Sequence, residues 1–231
     1  MKAHKVKKLD PRTTLGENAA RIVVVRLGEL RSFAAGALDP DQSETQHDMR
    51  IAAKRLRYVL EATGFCFGRP AATALRRAKE IQDLLGEVHD CDVMLPRLHQ
   101  HRRELRSEDA GLVLANAGDS EDLDPELAAS ARHRTAYRGL EVLEVYLIAR
   151  RDLLFERFVS LWASCEKKGV WRSLERVAEE ELERAAELRA VVERRERARR
   201  ALADAERARR EADELAERAA AELAEAERGS A

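Results

Sequence analysis

The chain has 231 residues, of which 45% are apolar, 4% aromatic and 37% charged, and its 42 Lys and Arg nearly balance its 43 Asp and Glu, for a formal net charge of −1. That is enough apolar material for a helical core, but too few aromatic and β-branched runs to supply strands, so the predicted class is all-α. No segment approaches the roughly 18 consecutive apolar residues of a membrane span, and the cysteines Cys66, Cys91 and Cys165 are spaced too widely for a disulfide framework or a zinc site.

In chain order, Met1–Lys8 lacks the apolar core of a signal peptide, so a cytoplasmic location is expected, with the cysteines as small core residues. Thr14 is placed to cap a helix over Leu15–Ala35 that carries Ile22, Val23, Val25, Leu27 and Leu30 and ends near Gly36 and Pro40. Ser43-Glu44-Thr45-Gln46 has the pattern of a capping box and opens a second helix that stops around Gly64. After Gly68-Arg69-Pro70 a third helix runs from Leu75 to Leu98, with a bend expected near Gly86 or Pro96. The stretch Arg106–Asp124, holding Gly111 and Gly118, reads as a mobile connection.

A later helical block offers Leu140, Leu143, Leu147, Leu153, Leu154, Phe158, Leu161 and Trp162 to close a four-helix bundle. Beyond Gly169 the composition changes, and between Val192 and Glu214 the one large apolar residue is Leu202. That region is expected to be a solvated helix or a weak coiled coil. The predicted organisation is therefore a helical bundle over residues 1–174 and a charged Ala/Glu/Arg-rich tail over 175–231. Glu175–Arg228 holds 13 basic and 17 acidic residues, so the rest of the chain carries a net charge of +3. Anions are the expected partners of the bundle.

The second helix carries the main functional signal. At roughly 100° per residue, His47, Arg50, Lys54 and Arg57 fall within an arc of about 80°. Met49, Ala52, Leu56, Val59, Leu60 and Thr63 define a separate apolar sector. A solvated face usually mixes Glu with Lys at i,i+4, yet the acid on this stripe is Glu61, at its far end. Like charges in a row repel unless something negative occupies them. On the third helix, Leu75, Ala78, Ile81, Leu85, Val88 and Leu95 mark an apolar face, while Lys79, Gln82, His89 and Arg97 share another with Gly86 between them. Two such helices could form the walls of one groove. Arg55 points more than a quarter turn from the stripe's centre and would reach either an anion or an acid. The histidines and Asp90 and Asp92 invite a metal reading, but those two aspartates lie about 200° apart on a helix, and a site ringed by Arg and Lys repels a cation. Asp90 is better placed to anchor an arginine of the basic helix. No metal, cofactor or catalytic group is expected, because neither a clustered carboxylate site nor a phosphate-binding loop or nucleophile elbow is present.

The runs His47-Asp48-Met49-Arg50-Ile51-Ala52-Ala53-Lys54-Arg55-Leu56-Arg57-Tyr58-Val59-Leu60-Glu61 and Leu84-Leu85-Gly86-Glu87-Val88-His89-Asp90-Cys91-Asp92-Val93, in this order, resemble the CHAD family of conserved-histidine α-helical domains. The likeness extends more loosely over Leu15–Leu174. It implies an antiparallel helical bundle, here followed by a long charged C-terminal helix. It also implies that the basic surface binds inorganic polyphosphate without catalysis, with targeting to polyphosphate granules. On that reading the site comprises His47, Arg50, Lys54, Arg55, Arg57, Lys79, His89 and Arg97, with His47 gaining charge at mildly acidic pH. Many members repeat the basic-helix motif and close a channel, whereas here Arg132, Arg134, Arg138, Arg150, Arg151 and Arg157 follow without that spacing. A homodimer would restore the channel. Two alternatives stay open. Nucleic-acid binding would use the same phosphate contacts, although the stripe has one neighbouring aromatic, Tyr58, and no base-reading set. A scaffold acting through its coiled tail would leave the stripe without a role.

Overall fold

The computed structural model describes residues 3–119, 121–129 and 131–229, and all of their regular structure is helical. Helix α1 spans Leu15–Ser32, α2 Ala34–Ala37 and α3 Ser43–Thr63. A 3-10 turn at Gly64–Cys66 leads into α4, Gly68–Asn116, and then come α5, Pro125–Ala129, α6, Arg134–Lys167, and α7, Val170–Gly229. The chain divides into two compact units, Met1–Glu181 and Leu182–Ala231.

Helix α1 starts as predicted, with the Thr14 hydroxyl accepting from the Glu17 amide at 3.1 Å. The predicted capping box does not form: Ser43 is already helical, Gln42 occupies the cap, and no side chain caps the end. Gln46, buried, instead donates from Nε2 to the Asp39 carbonyl at 2.7 Å, which ties α3 to the turn before it.

The first unit buries one face of each long helix, at the spacing the periodicity requires. Ala19, Ala20, Val23, Leu27 and Leu30 come from α1, and Met49, Ala52, Ala53, Leu56 and Leu60 from α3. From α4 come Ala71, Ala74, Ala78, Ile81, Leu85 and Val88. Small residues along this face allow helices to approach closely, while α6 and α7 supply bulk. Phe155 and Phe158 lie 6.1 Å apart, and Trp162 stacks on Trp171 at 5.6 Å. Cys91 packs with Leu98, Leu147 and Leu140 where α4 meets α6, and Cys165 is also buried, so both act as core residues. Two leucines expected to close the core do not: Leu143 and Leu153 are 39% and 58% exposed.

Polar contacts fix the order of the helices. His99 and Arg102 of α4 both reach Glu144 of α6, Arg151 meets Asp92 at 2.5 Å, and Arg150 pairs with Glu87. As residue numbers rise along α6 their partners on α4 fall, which makes the pair antiparallel. These contacts occupy Arg150 and Arg151, two of the later arginines. They also correct the role expected of Asp90, which is exposed and pairs with no described arginine; Asp92 makes the interhelical bridge instead.

The largest departure from the sequence reading is at Arg106–Asn116, which is not a mobile connection but the last three turns of α4. Its anchor is Asp109, 5% exposed, which accepts from the Tyr137 hydroxyl, the His133 amide and the His133 ring. The Tyr137 hydroxyl, with His133, holds the Asp109 carboxyl below the usual carboxylate range despite burial, and Asp109 and burial together push Tyr137 up to about 12. A carboxylate satisfied by three donors from the start of α6 and the residue that caps it keeps this segment wound past Gly111. What remains as connection is Ala117–Asp124, where Gly118 takes a positive φ of 60°.

Candidate anion-binding site

Helices α3 and α4 run antiparallel across the short turn that joins them, and their polar stripes meet along one seam. The rings of His47 and His89 lie 4.5 Å apart at a tilt of 46°. One turn further along α3, the Arg50 Nε lies 3.3 Å from where a Cβ on Gly86 would stand. That spacing explains the glycine: α4 gives up a side chain so that the Arg50 guanidinium can lie against its backbone. The same register sets Lys54 across from Gln82 and Arg57 across from Lys79.

The seam leaves polar atoms unsatisfied. His47 Nδ1, Arg50 Nε and Gln82 Oε1 are buried and have no hydrogen-bond partner among the described residues. Neither Arg50, Lys54 nor Lys79 pairs with a carboxylate among the described residues. A buried donor without a partner costs about 1–3 kcal/mol, and such atoms are uncommon in a folded protein. The Arg50 Nε, with the unpaired Lys54 and Lys79 beside it, marks a surface that is completed from outside. Glu61 balances Arg57 at 3.1 Å, as its position at the end of the stripe suggests. Tyr58, half-exposed, lies under Arg57 at 4.8 Å and Lys54 at 5.8 Å, and so holds both cations at the surface.

Burial, helped by His89 and Arg50, holds the His47 imidazole below the usual histidine range. The charge gain expected of this residue therefore comes at lower pH than an ordinary histidine would give.

Two predicted site residues stand apart. Arg55 turns to the opposite side of α3, where its guanidinium is 4.0 Å from Glu29 of α1. Glu29 is fully buried; burial raises its carboxyl, but the His4 amide and Arg26 more than offset this and hold it below the usual range. Arg55 thus joins a node that fastens α3 to α1 and the N-terminal segment. Arg97 lies two turns beyond His89, about 12 Å along α4, past the start of α3 at Ser43. The seam gathers His47, Arg50, Lys54, Arg57, Lys79 and His89, and adds Gln82, Gly86 and Tyr58.

An open cavity of about 680 Å³ between α4 and α6 is of opposite character, lined by Glu80, Asp83, Glu87 and Glu156 with Arg157 the one cation. It repels polyanions and has no part in the seam. Among the described residues no three His, Cys, Asp or Glu side chains converge as metal ligands, and no helix is long and apolar enough to cross a membrane.

No curated protein and no solved structure matches the chain. The family model of the CHAD domain matches residues 3–99, a span that holds α1 to α3, both polar stripes and the part of α4 that forms the seam. Over this stretch the chain is similar to the CHAD domain family.

Proposed function

We propose that the α3–α4 seam binds inorganic polyphosphate, that it does so without catalysis, and that the protein acts in the cytoplasm, at polyphosphate granules. The observation that carries this reading is the buried Arg50 Nε left without a partner, beside the Lys54 and Lys79 ammonium groups, which pair with no carboxylate among the described residues. A polyphosphate chain offers repeated anionic oxygens and no ring or base. Its binder needs spaced cations: Arg50 and Arg57 to fork onto non-bridging oxygens, Lys54 and Lys79 as point charges, His47 and His89 as donors.

The test is binding of the full chain to long-chain polyphosphate and to length-matched RNA and DNA at about 0.15 M salt, alongside the Arg50→Ala/Lys54→Ala/Arg57→Ala variant. Tight polyphosphate binding that the variant loses, with nucleic acids much weaker, supports the reading. Equal affinity for all three polyanions reduces the seam to a generic basic surface.

A homodimer is part of the same proposal, since two seams facing one another would enclose the chain. The row Val142, Val145, Tyr146 and Leu153 on α6, each at least 58% exposed, is an apolar surface at helical spacing that a second copy could cover. A strictly monomeric species by light scattering at working concentration would sink this part.

A further inference from the structure

A second cationic cavity lies away from the seam, where the first turns of α4 and α7 come together in the first unit. Its volume is about 420 Å³, and it is lined by Arg69, Thr73, Arg76 and Arg77 of α4 with Lys168 and Ser173 beside the α6–α7 turn. Glu80 pairs with Arg77 at 2.5 Å. Arg69, Arg76 and Lys168 are exposed and pair with no carboxylate among the described residues. Three unbalanced cations around one concavity raise the local potential. No carboxylate lines the cavity, in contrast to the neighbouring one between α4 and α6.

Two further features favour an anion. The start of α4 has no side-chain cap, since Phe67 precedes it, so the Gly68 and Arg69 amides have no side-chain acceptor and the helix end adds partial positive charge. The Thr73 and Ser173 hydroxyls add neutral donors on opposite walls. Guanidinium forks, an ammonium and hydroxyls around a few hundred cubic ångströms match a compact, multiply charged phosphate rather than a long chain lying on a surface.

We propose that this cavity is a second anion site, which takes a pyrophosphate-sized phosphate independently of the seam. The experiment is calorimetric titration of pyrophosphate into the full chain at about 0.15 M salt. It compares the parent, Arg69→Ala/Arg76→Ala, and Arg50→Ala/Lys54→Ala. Both cavity arginines are exposed, so the fold is retained and the melting curve confirms it. The expected result is that the cavity variant loses at least tenfold in pyrophosphate affinity while the seam variant keeps it. Long-chain polyphosphate should show the reverse pattern, so failure of the seam reading and failure of this one are distinguishable. Arg76→Lys should restore part of the pyrophosphate affinity. The proposal is overturned if the parent does not bind pyrophosphate at millimolar concentration. It is equally overturned if the cavity variant binds like the parent, or if only the seam variant loses binding.

Discussion

Replacing Gly86 with alanine should move stability and binding in opposite directions. A glycine inside a helix costs about 0.8–1.0 kcal/mol relative to alanine. At Gly86 the one side-chain atom near a new Cβ is the Arg50 Nε at 3.3 Å, the middle of a flexible side chain that can yield by a few tenths of an ångström. The helix therefore keeps most of the gain, and the melting temperature should rise by about 2–4 °C for a stabilisation near 1 kcal/mol. The displaced guanidinium no longer lies in the seam as before. If it forfeits a charge-assisted bond worth about 1 kcal/mol, polyphosphate affinity falls roughly fivefold. The assay is a thermal melt paired with a binding isotherm, repeated in an Arg50→Ala background where Gly86→Ala should no longer affect binding. A variant more stable than the parent with unchanged affinity would refute the role given to the Gly86–Arg50 contact. A loss of affinity that persists without Arg50 would show that the effect travels by another route.

Other expectations follow from the same contacts. Arg50→Ala/Lys54→Ala/Arg57→Ala should flatten the dependence of log affinity on log salt by roughly two to three, one for each cation removed, and a parallel shift of the line would contradict the direct contacts. Because burial holds His47 below the usual histidine range, polyphosphate affinity should stay flat through that range and rise only at lower pH. His47→Gln should remove the rise, as a titration of affinity against pH would show. The same depressed value means that, without ligand, folding stability falls as pH drops and the buried imidazole is forced to charge. The Asp109 node adds stability above the ordinary carboxylate range that is lost as pH falls through its lowered value. At the alkaline end the Tyr137 contribution is lost as pH rises from about 10 through about 12. Asp109→Asn should lower stability near neutral pH and flatten the acid limb, as chemical denaturation at a series of pH values would show.

What could be read from the sequence divides along the range of the interactions. The stripe of His47, Arg50, Lys54 and Arg57, the cap at Thr14 and the buried faces of α1 and α3 depend on neighbours within a turn or two, and periodicity displays them. The meeting of the α3 and α4 stripes was also legible, because a short turn leaves two adjacent helices little choice but to pack antiparallel. The partner of Arg55 was not, since Glu29 lies on another helix and its approach depends on the register of α1 against α3. The continuation of α4 beyond Arg106 was hidden for a similar reason: local composition favours a break at Gly111, and Asp109 overrides it through donors on Tyr137 of α6 and on His133, which precedes that helix. The capping box misled because Ser43 had the right residue type one position too late.

Helix α4 is a single rod of 49 residues, about 75 Å at 1.5 Å per residue, and the family match stops in the middle of it, at residue 99. The unit that similarity recognises and the unit that folds are therefore different objects. A piece cut at residue 99 would sever the rod one residue after Leu98, and would discard the α6 residues that cover Cys91. Any graft that transplants the basic seam into another protein should carry the whole of α4 together with α6, because the helix that forms one wall of the seam is packed and ion-paired by residues well outside the motif.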